Sequence, residues 1–333
     1  MKTVILCEVP HHHRTVYAPV VTNRLKALTD CDCARYGKAD VLTDPLKFAD
    51  TEYIFSTWGM PSFTEEEIKA NLPSLKAVFY GAGSVQGFAR PFLNCGVKVF
   101  SAWAANAVPV AEYTVAQIIL AGKDFFAQSR LLASEDRAAA QARHGGHIGN
   151  YRKKVGLIGC GMIGSLVAEM LKAYDLEVLA FDPFMSTEKA ERLGVTPCSL
   201  EELFSTCSVV SNHLANNPQT QRMLTYKHFS SMLPYAAFLN TGRGAQVVEE
   251  DLVRALSERP DLTAVLDVTH PEPSPAGHPF YSLPNCFMTP HIAGSLGGEV
   301  VRMAEYMVDE YERLTAGDPV KYEVTLKMLE TMA

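Results

Sequence analysis

Short apolar runs alternate with longer amphipathic stretches along most of the chain. Residues 4–6, 53–56, 77–80 and 97–100 are apolar runs bounded by turn formers, which predicts strands. Helix-period segments lie between them. Thr64 followed by Glu65, Glu66 and Glu67 sets acids in a first helical turn, against the positive end of its dipole. At Asn106 the pattern shifts to a long helix, with Asn106 as N-cap, Pro109 near the first turn, and Ala111, Val115, Ile118, Ile119 and Gly122 on one face. This helix is expected to connect two lobes. Residues 130–149, Ala-rich and then Gly-rich around Gly145 and Gly146, read as its tail and a loop.

A second alternating series follows, with strands expected at residues 155–158, 177–181, 208–212, 236–240, 263–268 and 286–289. Short strands separated by helices fit an α/β fold with a doubly wound parallel sheet of Rossmann type. Residues 296–314 predict one more amphipathic helix, with Val300, Met303, Ala304, Met307, Tyr311 and Leu314 on its buried face. It is expected to return the chain to the first lobe.

Composition changes this picture at its edges. At about 150 residues per domain, 333 residues suit two domains, and 47% hydrophobic with 20% charged residues suits ordinary cores under a polar surface. Thirty Lys and Arg against 37 Asp and Glu give a net charge of −7, so no nucleic acid and no membrane partner is expected. No apolar run approaches the ~20 residues of a bilayer span, and residues 4–7 are too short for a signal-peptide core. The expected compartment is the cytoplasm. Eight cysteines without a C-x-x-C pair read as reduced, packed thiols. Consecutive His11, His12 and His13 cannot converge on one ion from one regular element, so no metal is expected.

The chemistry begins after the strand at 155–158, where Gly159, Cys160, Gly161, Met162, Ile163 and Gly164 form G-x-G-x-x-G at the opening of a helix. Gly159 supports the tight turn, Gly161 lets the backbone approach a pyrophosphate, and Gly164 permits close helix packing. Asp182, at the end of the next strand, is placed to accept the hydroxyls of an adenosine ribose. Pro183 and Phe184 follow it, with no adjacent Arg or Lys for a 2′-phosphate, so NAD is favoured over NADP. This segment alone also admits a methyltransferase that holds S-adenosylmethionine.

Three polar residues stand just past later strand ends: Arg243, Glu272 and His291. In an open α/β sheet, ligands sit at that edge. Arg243 offers a planar fork that orients a carboxylate and polarises a neighbouring keto oxygen. His291 exchanges a proton near neutral pH and can serve a forming alkoxide, and Glu272 within hydrogen-bond reach would fix its tautomer. These are the parts of a carbonyl reductase.

Several segments together carry a resemblance. They are Gly81-Ala82-Gly83, Asn106 with Ala111-Glu112-Tyr113-Thr114, Gly159 to Gly164, Asn240-Thr241-Gly242-Arg243-Gly244, Asp267-Val268 with Glu272-Pro273, and Thr289-Pro290-His291-Ile292-Ala293-Gly294. In order and spacing the chain resembles the D-isomer-specific 2-hydroxyacid dehydrogenases. The resemblance implies hydride transfer between NAD(H) and a small 2-keto or D-2-hydroxy acid, in the manner of a glyoxylate or hydroxypyruvate reductase. It implies Arg243, Glu272 and His291 as the catalytic trio, and Thr114, His213, Thr241, Asp267 and Gly294 beside the cofactor with the glycine loop and Asp182. Residues 1–105 with 297–333 would form a flavodoxin-like substrate domain, where backbone N–H groups near Ala82 and Gly83 hold the substrate carboxylate. Residues 106–296 would form the NAD-binding domain, and residues 106–149 the contact of a homodimer.

The chain also departs from the family pattern. Residues 84–88 lack the aspartate that often follows Gly83, and residues 101–106 replace a Thr-Pro-Gly type of loop. Trp58 and Trp103 would narrow a pocket or fill a core. No regulatory domain like that of the longer phosphoglycerate dehydrogenases is expected. A formate dehydrogenase of the same superfamily would pair Gln with His, whereas Glu272 holds that position here. The remaining alternative is a nonenzymatic, NADH-sensing scaffold of the kind found among transcriptional corepressors of this fold.

Overall fold

The computed structural model describes residues 1–143 and 149–330. The Gly145-Gly146 part of the expected loop and residues 331–333 lie outside the described residues. The chain divides into two compact units, Met1–Asn106 with Ser295–Ala333, and Ala107–Gly294. In chain order the strands are β1 (Thr3–Leu6), β2 (Arg35–Tyr36), β3 (Tyr53–Ser56), β4 (Ala77–Tyr80), β5 (Lys98–Ser101), β6 (Lys153–Ile158) and β7 (Leu176–Phe181). They continue with β8 (Thr196–Pro197), β9 (Val209–Asn212), β10 (Ala237–Asn240), β11 (Thr263–Leu266), β12 (Cys286–Met288) and β13 (Glu323–Val324).

In the first unit the sheet order is β13-β5-β4-β3-β1-β2, parallel except for β13 against β5. The run β2-β1-β3-β4-β5 is the flavodoxin-like order. Alternation of strands with helical segments forces this solution, because a parallel sheet must bury both faces under crossover helices. Phe55, Phe79 and Phe100 stack across adjacent strands, with ring centroids 5.0 and 4.9 Å apart. The helix Val300–Ala316 lays Tyr311 edge-on to Tyr53 at 5.1 Å, so the C-terminal helix belongs to this unit's core. Beside it the wholly buried Glu310 accepts from Arg313 at 2.6 Å and from the N–H of Lys321 at 2.7 Å, which holds the entry to β13. Thr64 and Glu67 form a reciprocal capping box: the Thr64 hydroxyl accepts from the Glu67 N–H, and the Glu67 carboxylate from the Thr64 N–H.

The second unit carries a fully parallel sheet, ordered β12-β11-β10-β9-β6-β7-β8. Chain order reverses between β6 and β9, which opens the ligand crevice of a Rossmann sheet at their carboxyl ends. One face is filled around Phe204, Phe229 and Phe238, the other around Ala111, Ile118, Val167 and Leu171.

Two expectations need correction. The long helix is Trp103–Gly122, so Asn106 is not its N-cap. Asn106 lies inside the helix and its Oδ1 accepts the Ser295 N–H at 3.0 Å. The helix is also 20 residues long and contains an 18-residue stretch of mean hydropathy 1.2, so a segment of membrane-spanning length and composition does occur. In the sequence, Asn106, Glu112 and Gln117 interrupt the apolar run. Half of it is buried, with Ala111 and Ile118 fully so, and it serves as a core helix.

Candidate functional site

The turn after β6 is built around its glycines. Gly159 has φ +86° and donates its N–H to the Phe181 carbonyl at 2.8 Å. A Cβ on Gly164 would fall 2.0 Å from the Gly159 oxygen, so the helix Met162–Leu171 can press on the turn only with glycine there. Above Gly161, by contrast, nothing lies within 4 Å of where a Cβ would stand. Gly161 caps the helix with no side-chain acceptor, which leaves the first-turn N–H groups free for an anion. Met162 is exposed on that turn, while Ile163 packs on the core.

At the end of β7 the Asp182 carboxylate accepts the N–H of Cys160 and of Phe184, each at 2.9 Å. The Lys189 ammonium donates to the Cys160 carbonyl at 2.6 Å. No basic residue adjoins Asp182 in sequence, yet folding brings one to the same peptide. His213, at the end of β9, is 9% exposed, and its Nε2 lies 3.0 Å from the Ser211 hydroxyl. Burial pushes its pKa down to about 4, so the ring is neutral, and its Nδ1 is buried without a partner. An open glycine cradle, free helix donors and an orphaned ring nitrogen fit a dinucleotide.

Strand register brings the remaining loops to one edge. Asn240 pairs with Asn212 and with Leu266, and Leu266 pairs with Met288. After β10 a buried amide cluster fixes the turn. Asn212 Nδ2 donates to Asn240 Oδ1 at 3.0 Å and to Gln246 Oε1 at 2.6 Å, and the Gly242 N–H donates to Asn240 Oδ1 at 3.1 Å. Arg243 Nη1 donates to the Gly242 carbonyl at 2.7 Å. Among the described residues, its other guanidinium nitrogens have no protein acceptor. Thr241 and Thr114 face each other, hydroxyl to hydroxyl, at 3.2 Å.

After β11, Asp267 accepts from the Thr289 hydroxyl at 2.7 Å and from the N–H groups of Ile292 and Ala293 at 2.8 and 2.9 Å. Its carbonyl accepts the His291 N–H at 3.0 Å. This buried carboxylate is therefore wrapped by the loop that carries His291 and leads to Gly294. His291, with φ +55°, directs Nδ1 to Glu272 Oε1 at 2.6 Å. Both side chains remain partly exposed, 46% and 38%.

The Glu272 loop is held from behind. Glu249, 9% exposed, accepts the His270 N–H at 2.7 Å and faces His278 Nε2 at 3.6 Å, and burial pushes its pKa up. A Cβ on Gly244 would fall 2.1 Å from the Thr269 carbonyl carbon, so the Arg243 and Glu272 loops pack backbone to backbone. Arg243, Glu272, His270, Glu249 and His278 line one cavity of about 490 Å³.

In the first unit, Ser101 ties the loop after β4 by donating to the carbonyls of Ala82 and Gly83 at 3.0 and 2.5 Å. The Ala82 N–H donates to the Tyr80 carbonyl at 2.9 Å. Of the two residues named for the carboxylate, Ala82 therefore has its N–H bonded within the chain. Among the described residues, the N–H groups of Gly83, Ser84 and Val85 have no protein acceptor. Trp103 packs edge-on to Tyr322 at 5.8 Å, and Trp58 lies 5.6 Å from the His12 ring.

Sequence reading missed Asn212 and Gln246 as braces, Glu249 as support for the Glu272 loop, and Lys189. The available signals were polar residues at strand ends and acids heading the helix Glu249–Glu258. None of these reveals its partner without the fold.

A Rossmann sheet with this glycine turn and a histidine–carboxylate pair at its carboxyl edge defines a dinucleotide-binding α/β protein of the dehydrogenase class. Residues 115–293 match the family model of the D-isomer specific 2-hydroxyacid dehydrogenase NAD binding domain. The chain belongs to that family, and its second unit contains the family's NAD-binding domain. It is 28% identical over 239 residues to the D-3-phosphoglycerate dehydrogenase of Archaeoglobus fulgidus, covering 71% of this chain and 44% of that one. It is 31% identical over 168 residues to a hydroxypyruvate reductase of Blautia hydrogenotrophica, covering 50% and 52%. The chain thus spans about half the length of these relatives. A crystal structure of the NAD complexed D-isomer specific 2-hydroxyacid dehydrogenase of Lactobacillus delbrueckii ssp. bulgaricus shares the fold. Its TM-score is 0.77 at 20% identity, over 97% of this chain and all of that one.

Proposed function

We propose that the chain is an NAD-dependent D-2-hydroxyacid dehydrogenase that interconverts a small 2-keto acid and the corresponding D-2-hydroxy acid. The observation that carries this reading is the 2.6 Å contact between His291 Nδ1 and Glu272 Oε1, with Glu272 and Arg243 lining one cavity. The glycine turn, Asp182, Thr114, His213, Thr241, Asp267 and Gly294 form the cofactor side of the site. When bound there, NADH supplies the hydride. Glu272 accepts from Nδ1, which leaves Nε2 as the atom of His291 that gives a proton to the forming alkoxide and takes it back in the reverse direction. Arg243 keeps unspent donors for the substrate carboxylate and the keto oxygen. On the first unit, the free N–H groups at 83–85 fit a carboxylate in the same way.

Glyoxylate and hydroxypyruvate are the first substrates to try, given the hydroxypyruvate reductase among the relatives. We also assign a homodimer contact to the helices Trp103–Gly122, Phe125–Ala133 and Arg137–Arg143. There Leu120, Phe125 and Leu132 expose 37%, 49% and 56% of their surface around one groove. The part of the expected contact at 144–148 lies outside the described residues. NADH oxidation over a panel of 2-keto acids tests the reaction. Turnover of at least one acid that disappears in His291→Ala supports it, and binding of NADH without turnover of any acid would leave a cofactor-sensing scaffold instead.

A further inference from the structure

We infer that Lys189 makes the adenosine end of the cofactor site tolerant of a 2′-phosphate, so that the chain accepts NADP(H) as well as NAD(H). This rests on the dinucleotide reading of the glycine turn and not on the reaction assigned to it. Asp182 and Lys189 grip one peptide from its two sides: the Cys160 N–H donates to the Asp182 carboxylate at 2.9 Å, and the Cys160 carbonyl accepts from the Lys189 ammonium at 2.6 Å. A carboxylate alone at this strand end repels a phosphate and selects NAD. Here the carboxylate already receives two N–H donors, from Cys160 and Phe184, and a cation stands across the peptide. A 2′-phosphate would therefore meet a carboxylate already engaged by two N–H groups, with an ammonium on the carbonyl side of the same peptide to draw it.

Lys189 is built to stay there. It lies on the helix Thr187–Leu193, whose N-cap Ser186 accepts the Lys189 N–H at 3.2 Å, and the residue is half-buried. Among the described residues its ammonium bonds only a neutral carbonyl, so its charge is not consumed by a carboxylate. Ammonium to phosphate is a charge-assisted contact and belongs to the stronger class of hydrogen bonds.

The test uses 2′,5′-ADP and 5′-AMP, which differ only in the 2′-phosphate, titrated calorimetrically into the full chain at fixed ionic strength. The expected result is 2′,5′-ADP binding within about tenfold of 5′-AMP. Lys189→Met should lower the ratio of the two affinities by about tenfold, and Lys189→Arg should restore it. Circular dichroism checks that both variants fold. Rejection of 2′,5′-ADP by more than about tenfold in the unmodified chain, or a ratio that Lys189→Met leaves in place, overturns the inference. Failure of every 2-keto acid to turn over, with 2′,5′-ADP still bound, would sink the reaction and leave this inference standing.

Discussion

The carboxyl edges of the two sheets handle charge by different means. In the second unit, the loops after β10, β11 and β12 present side chains with ionisable chemistry: Arg243, Glu272 and His291. In the first unit, the loop after β4 presents unspent backbone N–H groups at 83–85, held by Ser101. The first kind of edge can transfer protons and polarise a carbonyl, whereas the second can only bind. On the proposed reading, proton transfer belongs to the second unit's edge and the first unit's edge offers only donors, and each can be altered separately.

The largest effect should come from the second unit. His291→Ala removes the proposed proton donor and should lower kcat by about 10² to 10⁴-fold, the usual range for general acid–base groups, with NADH affinity retained. Arg243→Lys keeps the charge and loses the fork, and is expected to fall well short of wild type in kcat/KM. Steady-state kinetics with the best acid of the panel decides both. If either variant turns over at the wild-type rate, chemistry does not reside at this edge.

A second effect of kilocalorie size concerns stability. Burial holds the His213 pKa at about 4, below the ordinary 6.5, so between these values the unfolded chain binds a proton that the folded chain refuses. Stability should therefore fall as pH drops from 6.5 to 4, by on the order of 3 kcal/mol from this residue, with no further loss from it below 4. His213→Gln should flatten that part of the stability–pH curve measured by urea unfolding. An unchanged slope would mean that the imidazole is not buried neutral.

A third effect separates fold from cofactor within one turn. Gly161→Ala adds a methyl where nothing lies within 4 Å, so the melting temperature should hold while NADH affinity falls about tenfold. Gly164→Ala adds its methyl 2.0 Å from the Gly159 oxygen, and should lower the melting temperature as well. NADH fluorescence titration beside thermal unfolding checks the pair. Equal melting losses in both variants would show that Gly161 is structural too.

Much of this was legible in the sequence because it rests on local pattern. The strands at 53–56 and 77–80 were readable to the residue, since each is an apolar run with turns at both ends. The strands β2, β8 and β13 were not, because two-residue strands carry no periodicity and exist only through their partners. The glycine turn, Arg243, Glu272 and His291 announced themselves by placement after strands. Lys189 did not: it stands seven positions after Asp182, and only the turn into the helix Thr187–Leu193, which carries it, returns its ammonium to the Cys160 carbonyl. Ala82 shows the converse, a motif residue whose N–H the fold spends on Tyr80.

The smallest effect is expected at the first unit's edge and is the sharpest test of its passive role. Gly83 has no left-handed backbone angle, and a Cβ there would lie 3.9 Å from Asn106 Nδ2, an ordinary contact. Gly83→Ala should therefore fold like the unmodified chain. Its methyl would stand among the free N–H groups at 83–85 and crowd an approaching carboxylate, without touching any group that moves a proton. KM for the 2-keto acid should rise by about tenfold or less, a loss of at most about 1.4 kcal/mol, while kcat holds. A fall in kcat with KM unchanged would place this loop in the chemical step, and the division between a reacting edge and a binding edge would fail.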